Sequence, residues 1–157
     1  MLNVGDAAPD FELPTHLDRE RKVKLSALRG QNVVLAFYPF DWTPVCATQI
    51  PSYEADKSRF ADHNAVVLGI SVDSAPSHAA WAESLGGISY DLLADFHPKG
   101  EVCRLYGTFR EDGGFSNRTI FVVDKEGKIA YIDRHELLDK PNNEEVFEVL
   151  EKLKAEA

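Results

Sequence analysis

Val33-Val34-Leu35-Ala36-Phe37-Tyr38-Pro39-Phe40-Asp41-Trp42-Thr43-Pro44-Val45-Cys46 is the stretch on which the fold turns. Its first six residues form a short run of apolar, β-branched and aromatic side chains, the pattern of a buried strand that ends at Pro39. Thr43 is a favourable N-cap residue, and Pro44 suits a first helical turn, where a missing N–H leaves nothing unpaired. The spacing predicts a strand-to-helix junction with Cys46 in the first turn of the helix. There, free backbone N–H groups and the positive end of the helix dipole favour an anion at Sγ.

An ordinary thiol, with a pKa of about 8.5, is only a few per cent thiolate at pH 7, whereas one held near about 6 is mostly ionised. A helix end contributes only about 0.3–1 kcal/mol, less than one pKa unit, so a cation is expected beside the sulfur as well. The competing account is a buried cysteine that packs as a small hydrophobe. Thr-Pro-x-Cys directly after an apolar strand favours the reactive thiol.

Working outward, a chain of 157 residues that is 44% hydrophobic can bury one sizeable core, so a single domain over residues 1–157 is expected. Its two cysteines, Cys46 and Cys103, make no CxxC and no zinc-like cluster, and are too few for a secreted disulfide framework. A reducing cytoplasm fits them. The start, Met1-Leu2-Asn3-Val4-Gly5-Asp6, lacks a charged segment followed by an apolar one, and no run approaches a membrane span, so neither export nor membrane insertion is expected. A formal charge of −9 repels a phosphate backbone, and basic runs such as Arg19-Glu20-Arg21-Lys22 are interrupted by acids; nucleic acid is not an expected partner. His16, His63, His78, His97 and His135 show no metal-ligand spacing and read as surface or loop residues, so neither metal nor cofactor is expected. Asp41 reads as part of the loop.

Along the chain the elements alternate. Short strands are expected near residues 10–13 and 23–25, then the strand 33–38, a helix over about 44–60 and a buried strand over 65–72. A helix from Ser74-Ala75-Pro76 to about residue 85 is closed by Gly86-Gly87. A short strand at 90–93 and a short helix over 98–106 follow. Strands 118–123 and 128–132 flank Asp124-Lys125-Glu126-Gly127, a hairpin signal with glycine at the left-handed position. Val146, Leu150 and Leu153 make the apolar stripe of a last helix from near Asn143. This order indicates an α/β chain with a mixed central sheet, helices on both faces and an N-terminal extension: a thioredoxin-like fold.

Pro39-x-x-x-Thr43-x-x-Cys46, followed by Asn117-Arg118-Thr119-Ile120-Phe121-Val122-Val123-Asp124, resembles the peroxiredoxins. The likeness runs from Gly5-Asp6-x-Ala8-Pro9-Asp10-Phe11 through Asp95-Phe96-x-x-x-Gly100 and Tyr106-Gly107 to the hairpin, and is greatest to the bacterioferritin-comigratory (Q-type) and alkyl hydroperoxide reductase E groups. Two positions depart from relatives. Pro51 stands five residues after Cys46, where many Q-type members place a resolving cysteine, and Gln49 stands where other branches carry Glu.

The resemblance implies a thiol-dependent peroxidase that reduces hydrogen peroxide and organic hydroperoxides through a Cys46 sulfenic acid. Thr43 would hydrogen-bond the thiolate and the incoming oxygen, unless it only caps the helix. Arg118 would supply the cation, unless it is an ordinary sheet-edge arginine. Pro39 would exclude water and shape the pocket while also ending the strand. Trp42, Phe40 and Phe37 could collar an organic peroxide, although aromatics at a strand end are more often core. Cys103, beside an apolar face of Val102, Leu105 and Tyr106, is either a small hydrophobe or a resolving thiol. With the usual resolving positions empty, the expectation is a one-cysteine enzyme recycled by an external thiol such as thioredoxin, a glutaredoxin-like protein or a small thiol. The resemblance also implies a homodimer. A thiol-disulfide oxidoreductase on the same fold would need a vicinal thiol, and position 49 is Gln.

Overall fold

The computed structural model describes residues 1–156. The chain opens with strands β1 (Glu12–Pro14) and β2 (Lys22–Lys24), paired antiparallel with Leu13 opposite Val23. Strand β3 (Asn32–Phe37) leads to helices α1 (Cys46–Ala55) and α2 (Lys57–Asp62), then strand β4 (Ala65–Ser71), helix α3 (Ala75–Ser84), strand β5 (Asp91–Ala94) and helix α4 (Glu101–Leu105). A two-stranded ribbon of β6 (Phe109–Arg110) and β7 (Phe115–Ser116) precedes the hairpin β8 (Arg118–Val123) and β9 (Ile129–His135), and helix α5 (Asn143–Glu156) ends the chain.

Five strands form the central sheet in the order β5-β4-β3-β8-β9. β3 runs parallel to β4 and antiparallel to β8, with Val34 opposite both Val67 and Val122, and every residue of β3 and β8 is buried. That burial explains the apolar runs Val33–Phe37 and Ile120–Val123: a strand covered on both faces has no polar alternation. Side chains along a strand still point to opposite faces. Val34, Ala36, Tyr38, Ile120 and Val122 therefore join one core with Ile50, Tyr53, Phe60, Trp81 and Leu150 from the helices. Val33, Leu35, Phe37, Phe121 and Val123 join a second core, closed by Phe11, Leu13, Val102, Cys103 and Tyr106. Full burial of each such side chain contributes about 1.5–3 kcal/mol.

The hairpin expected at residues 124–127 is present, with Gly127 at φ 90°. Ser74 caps α3 by accepting from the Ser77 N–H. Three expectations need correction. The single helix over 44–60 is two helices, because Asp56 leaves helical geometry at φ −97° and ψ 10°, and the Asn143 side chain binds both Ser52 and Asp56 at that junction. Strand β9 continues to His135. The β6–β7 ribbon went unanticipated, since two-residue strands carry no periodicity. No helix among the described residues is long and apolar enough to cross a membrane.

Candidate active site

Register places the site. Phe37 on β3 pairs with Thr119 on β8, so Tyr38-Pro39 and Arg118 leave their two neighbouring strands side by side. Arg118 shares the face of Ile120 and Val122, the face covered by α1, and this turns its side chain toward the helix N-terminus. Cys46, the first residue of α1, is fully buried there. Nη2 of Arg118 lies 3.3 Å from its Sγ.

The remaining guanidinium contacts are all neutral. Nη1 donates to Oε1 of Gln49, while Nε and Nη2 donate to the Leu137 carbonyl at 3.1 and 2.8 Å. Gln49, also fully buried, donates in turn to the Tyr53 hydroxyl at 2.9 Å. A guanidinium only 2% exposed needs a compensating negative charge. Among its hydrogen-bond partners only Cys46 Sγ can carry one, so the site directs uncompensated positive charge at that sulfur. An ordinary sheet-edge arginine would face solvent instead. The N-terminal dipole of the ten-residue α1 adds to the same effect.

Thr43 differs from its expected local role. Val45 occupies the cap position with helical dihedrals, and the Thr43 hydroxyl donates to the Phe40 carbonyl at 2.8 Å. The cause is the turn before it, where Trp42 sits at φ 68°, a left-handed conformation that costs a bulky residue about 1–3 kcal/mol. The Thr43 side chain thereby closes the loop between Pro39 and Cys46, while its carbonyl accepts from the Ala47 N–H at 2.9 Å at the start of the helix. Pro39 is buried at the end of β3. The three aromatics part company: Phe37 is core on the far face of the sheet, Phe40 stacks on Phe115 with ring centroids 5.0 Å apart, and Trp42 is 58% exposed.

The loop is anchored from below. His78, expected at the surface, is fully buried, with Nε2 at 3.0 Å from the Leu93 carbonyl and Nδ1 at 2.7 Å from Asp41 Oδ2. Its place on one face of α3 with Trp81 and Ala82, three and four residues on, is the sequence signal for that burial. The ring thus bridges the Leu93 carbonyl and the Asp41 carboxylate and ties α3 to the loop. Asp41 also accepts from the Tyr38 hydroxyl at 2.7 Å and from Ser77 at 2.9 Å, and its own N–H donates to Asp73 at 2.9 Å. Burial, then the Asp41 carboxylate, pushes the Tyr38 phenol well above its ordinary value, so it stays a donor. Burial likewise raises Asp73, against the hydrogen bond from Ser71. Asp41, Asp73 and His78 lie close enough to hold an ion, but hydrogen bonds within the network already engage them.

Cys103 lies apart from all of this. It is fully buried in the second core, across the sheet from Cys46. Burial, then the Asp95 carboxylate, pushes its thiol far up. Asp95 accepts from the backbone N–H groups of Val102 and Cys103 at 3.1 and 2.8 Å and thereby holds the start of α4.

The structure brings the expected Cys46 and Arg118 together and buries Pro39 beside the strand end, and it adds three groups to their surroundings. Gln49 had a signal, since three residues from Cys46 places it on the same helical face. Asp41 had one only together with His78. The Leu137 carbonyl had none, because every residue carries one.

The chain has known relatives in sequence and in fold. Residues 4–132 match the AhpC/TSA family. Alkyl hydroperoxide reductase E of Mycobacterium tuberculosis is 38% identical over 85% of this chain and 86% of its own length. A chloroplastic 2-Cys peroxiredoxin of Spinacia oleracea is 40% identical over 82% of this chain and 51% of its own. Among solved structures, reduced 2-Cys peroxiredoxin of Plasmodium vivax superposes with a TM-score of 0.90 at 26% identity, covering 99% of this chain and 83% of its own. The AhpC of Enterococcus faecalis gives 0.86 at 29% identity, over 99% and 93%. With its thioredoxin-like fold and a buried Cys46–Arg118 pair behind the Pro39 loop, the chain belongs to the AhpC/TSA family of peroxiredoxins.

Proposed function

We propose that this chain is a thiol-dependent peroxidase that reduces hydrogen peroxide and organic hydroperoxides at Cys46 and is recycled by an external thiol. The observation that carries the reading is the buried guanidinium at 3.3 Å from Sγ, with neutral oxygens as its other partners. The thiolate attacks one peroxide oxygen, the O–O bond breaks, and the electron pair leaves on the second oxygen, which takes a proton to become water or an alcohol. Cys46 is left as a sulfenic acid. Arg118 stays paired with the reacting sulfur and spreads positive charge over the oxygens as negative charge develops. Pro39 screens the pocket from water, and Thr43, three residues before Cys46, orients the incoming hydroperoxide by accepting at the hydroxyl that donates to the Phe40 carbonyl. An external thiol then condenses with the sulfenic acid, releasing water, and a second thiol frees Cys46 while forming a disulfide between the two reductants.

A one-cysteine cycle is supported by the position of Cys103 across the sheet. Thioredoxin, a glutaredoxin-like protein and a small thiol are the donors to compare. Both cysteines are free, which suits a reducing compartment such as the cytoplasm. The exposed Trp42 beside the site suits a homodimer paired through these loops, which light scattering over a concentration series checks; a monomer at high micromolar concentration refutes it. A thiol-disulfide oxidoreductase would need a vicinal thiol where Gln49 stands.

The test of the peroxidase reading is Cys46→Ser. It is expected to abolish peroxide consumption with a thiol donor while circular dichroism stays unchanged, because a serine hydroxyl is no comparable nucleophile at neutral pH. Activity above about a tenth of the parent in a folded variant would remove Cys46 from the reaction.

A further inference from the structure

We infer that His135 is a positioning residue for the peroxidase reaction: its imidazolium clasps Asp133 and Asp139, and so fixes the turn whose Leu137 carbonyl orients Arg118 toward Cys46. The inference rests on the peroxidase reading for its effect on turnover, although its effect on the reactivity of Cys46 can be read without peroxide.

The geometry begins in the sheet. His135 ends β9 as the Cα partner of Arg118, so the two residues lie side by side on adjacent strands. Two residues on, Leu137 presents the carbonyl that receives both Nε and Nη2 of Arg118. The turn that carries it closes with the Asp139 N–H on the Glu136 carbonyl at 3.0 Å. Across that turn, His135 Nδ1 lies 2.8 Å from Asp139 Oδ2, while Nε2 lies 2.6 Å from Asp133 Oδ2. A carboxylate can only accept here, so both ring nitrogens must donate, and only the doubly protonated ring does so.

The surroundings favour that cation. Asp133 and Asp139 face it directly, and Glu145 of α5 approaches Asp133 and His135 to within 4.8 Å. The Tyr131 hydroxyl donates to Glu145 at 3.4 Å. Arg118, paired with His135 from β8, is a cation, and its guanidinium is turned away into the Cys46 pocket. Partial burial works against the charged ring, but the hydrogen bonds to Asp139 and Asp133 outweigh it and hold His135 above its usual value. As pH rises through that value the neutral ring keeps one N–H and must release one carboxylate. Asp139, with its side chain 62% exposed and at the end of the turn, is the one free to leave. Leu137 then loosens, and Arg118 loses the anchor that aims it at Sγ.

The sign opposes that of the sulfur. Ionisation of a thiol raises its reactivity with pH, whereas loss of the His135 clasp lowers the rate as pH rises. The experiment follows oxidation of Cys46 by hydrogen peroxide and its alkylation by iodoacetamide across about pH 5 to 9, where imidazoles titrate. The parent, His135→Ala, Asp139→Asn and Arg118→Ala are compared, together with the pair His135→Ala and Arg118→Ala. Asp139→Asn is a conservative change at an exposed side chain and guards against failure to fold. Expected are an alkaline fall in the parent, its displacement to lower pH in Asp139→Asn, and its loss in His135→Ala with a rate about tenfold lower on the acid side. In the Arg118→Ala background, His135→Ala should change nothing further. An alkaline limb that Asp139→Asn leaves in place, or an effect of His135→Ala that persists without Arg118, would overturn the inference. Absent peroxide turnover with the same pattern in alkylation would sink the peroxidase reading and leave the clasp standing.

Discussion

At the scale of single residues the site is a problem of charge balance. Arg118 is buried, and its partners besides Cys46 are an amide oxygen and a backbone carbonyl. Gln49 matters because it is not a carboxylate: it fills a donor of the guanidinium without neutralising it. Arg118→Ala is therefore expected to slow sulfenic acid formation by roughly two decades or more, equivalent to about 3 kcal/mol of lost transition-state stabilisation. Gln49→Glu should also slow the reaction, since a carboxylate competes with sulfur for the same cation. Stopped-flow oxidation and iodoacetamide alkylation at neutral pH measure both, and rates equal to the parent in either variant would mean that another group activates the thiol. Cys46 and Arg118 were legible because proline, threonine, cysteine and a downstream arginine each carry a distinctive constraint. The Leu137 carbonyl was not, for a backbone group leaves no mark on its own side chain.

At the scale of elements the reactive loop between β3 and α1 is held by α3 through one buried pair. Asp41 and His78 are both fully buried, and the turn above them keeps Trp42 in a left-handed conformation. Breaking such a pair leaves an uncompensated charge, so His78→Leu is expected to cost about 3–5 kcal/mol and to slow Cys46 oxidation by releasing the loop. Adding Asp41→Asn should recover part of the loss by removing the orphaned charge, and thermal unfolding of the four proteins in a double-mutant cycle measures it. Strictly additive effects would show that the two side chains are not coupled. The alternation of strands and helices was plain in the sequence because each buried strand carries an apolar run. The pair was hidden because a lone histidine reads as polar until the face of its helix is considered. The break at Asp56 was hidden because side chains distant in sequence bind it.

At the scale of the whole molecule the sheet acts as a partition. Residues of β3 and β8 alternate between two cores, placing Cys46 in one and Cys103 in the other. A disulfide needs Cα atoms within about 7 Å, and no movement of the first turn of α1 alone carries Cys46 through a sheet whose strands are fully paired. Cys103 is further disarmed by burial and by the Asp95 carboxylate, which keep it a thiol where a resolving cysteine must attack as thiolate. Oxidation by one equivalent of hydrogen peroxide should accordingly leave one free thiol under denaturing conditions, and peptide mapping should place it at Cys103. Cys103→Ala should keep peroxidase activity near that of the parent with an external thiol, at a stability cost of about 1–2 kcal/mol for the atom removed from the core. Loss of both thiols to an internal Cys46–Cys103 disulfide would require the partition to open during the cycle and would refute the one-cysteine mechanism.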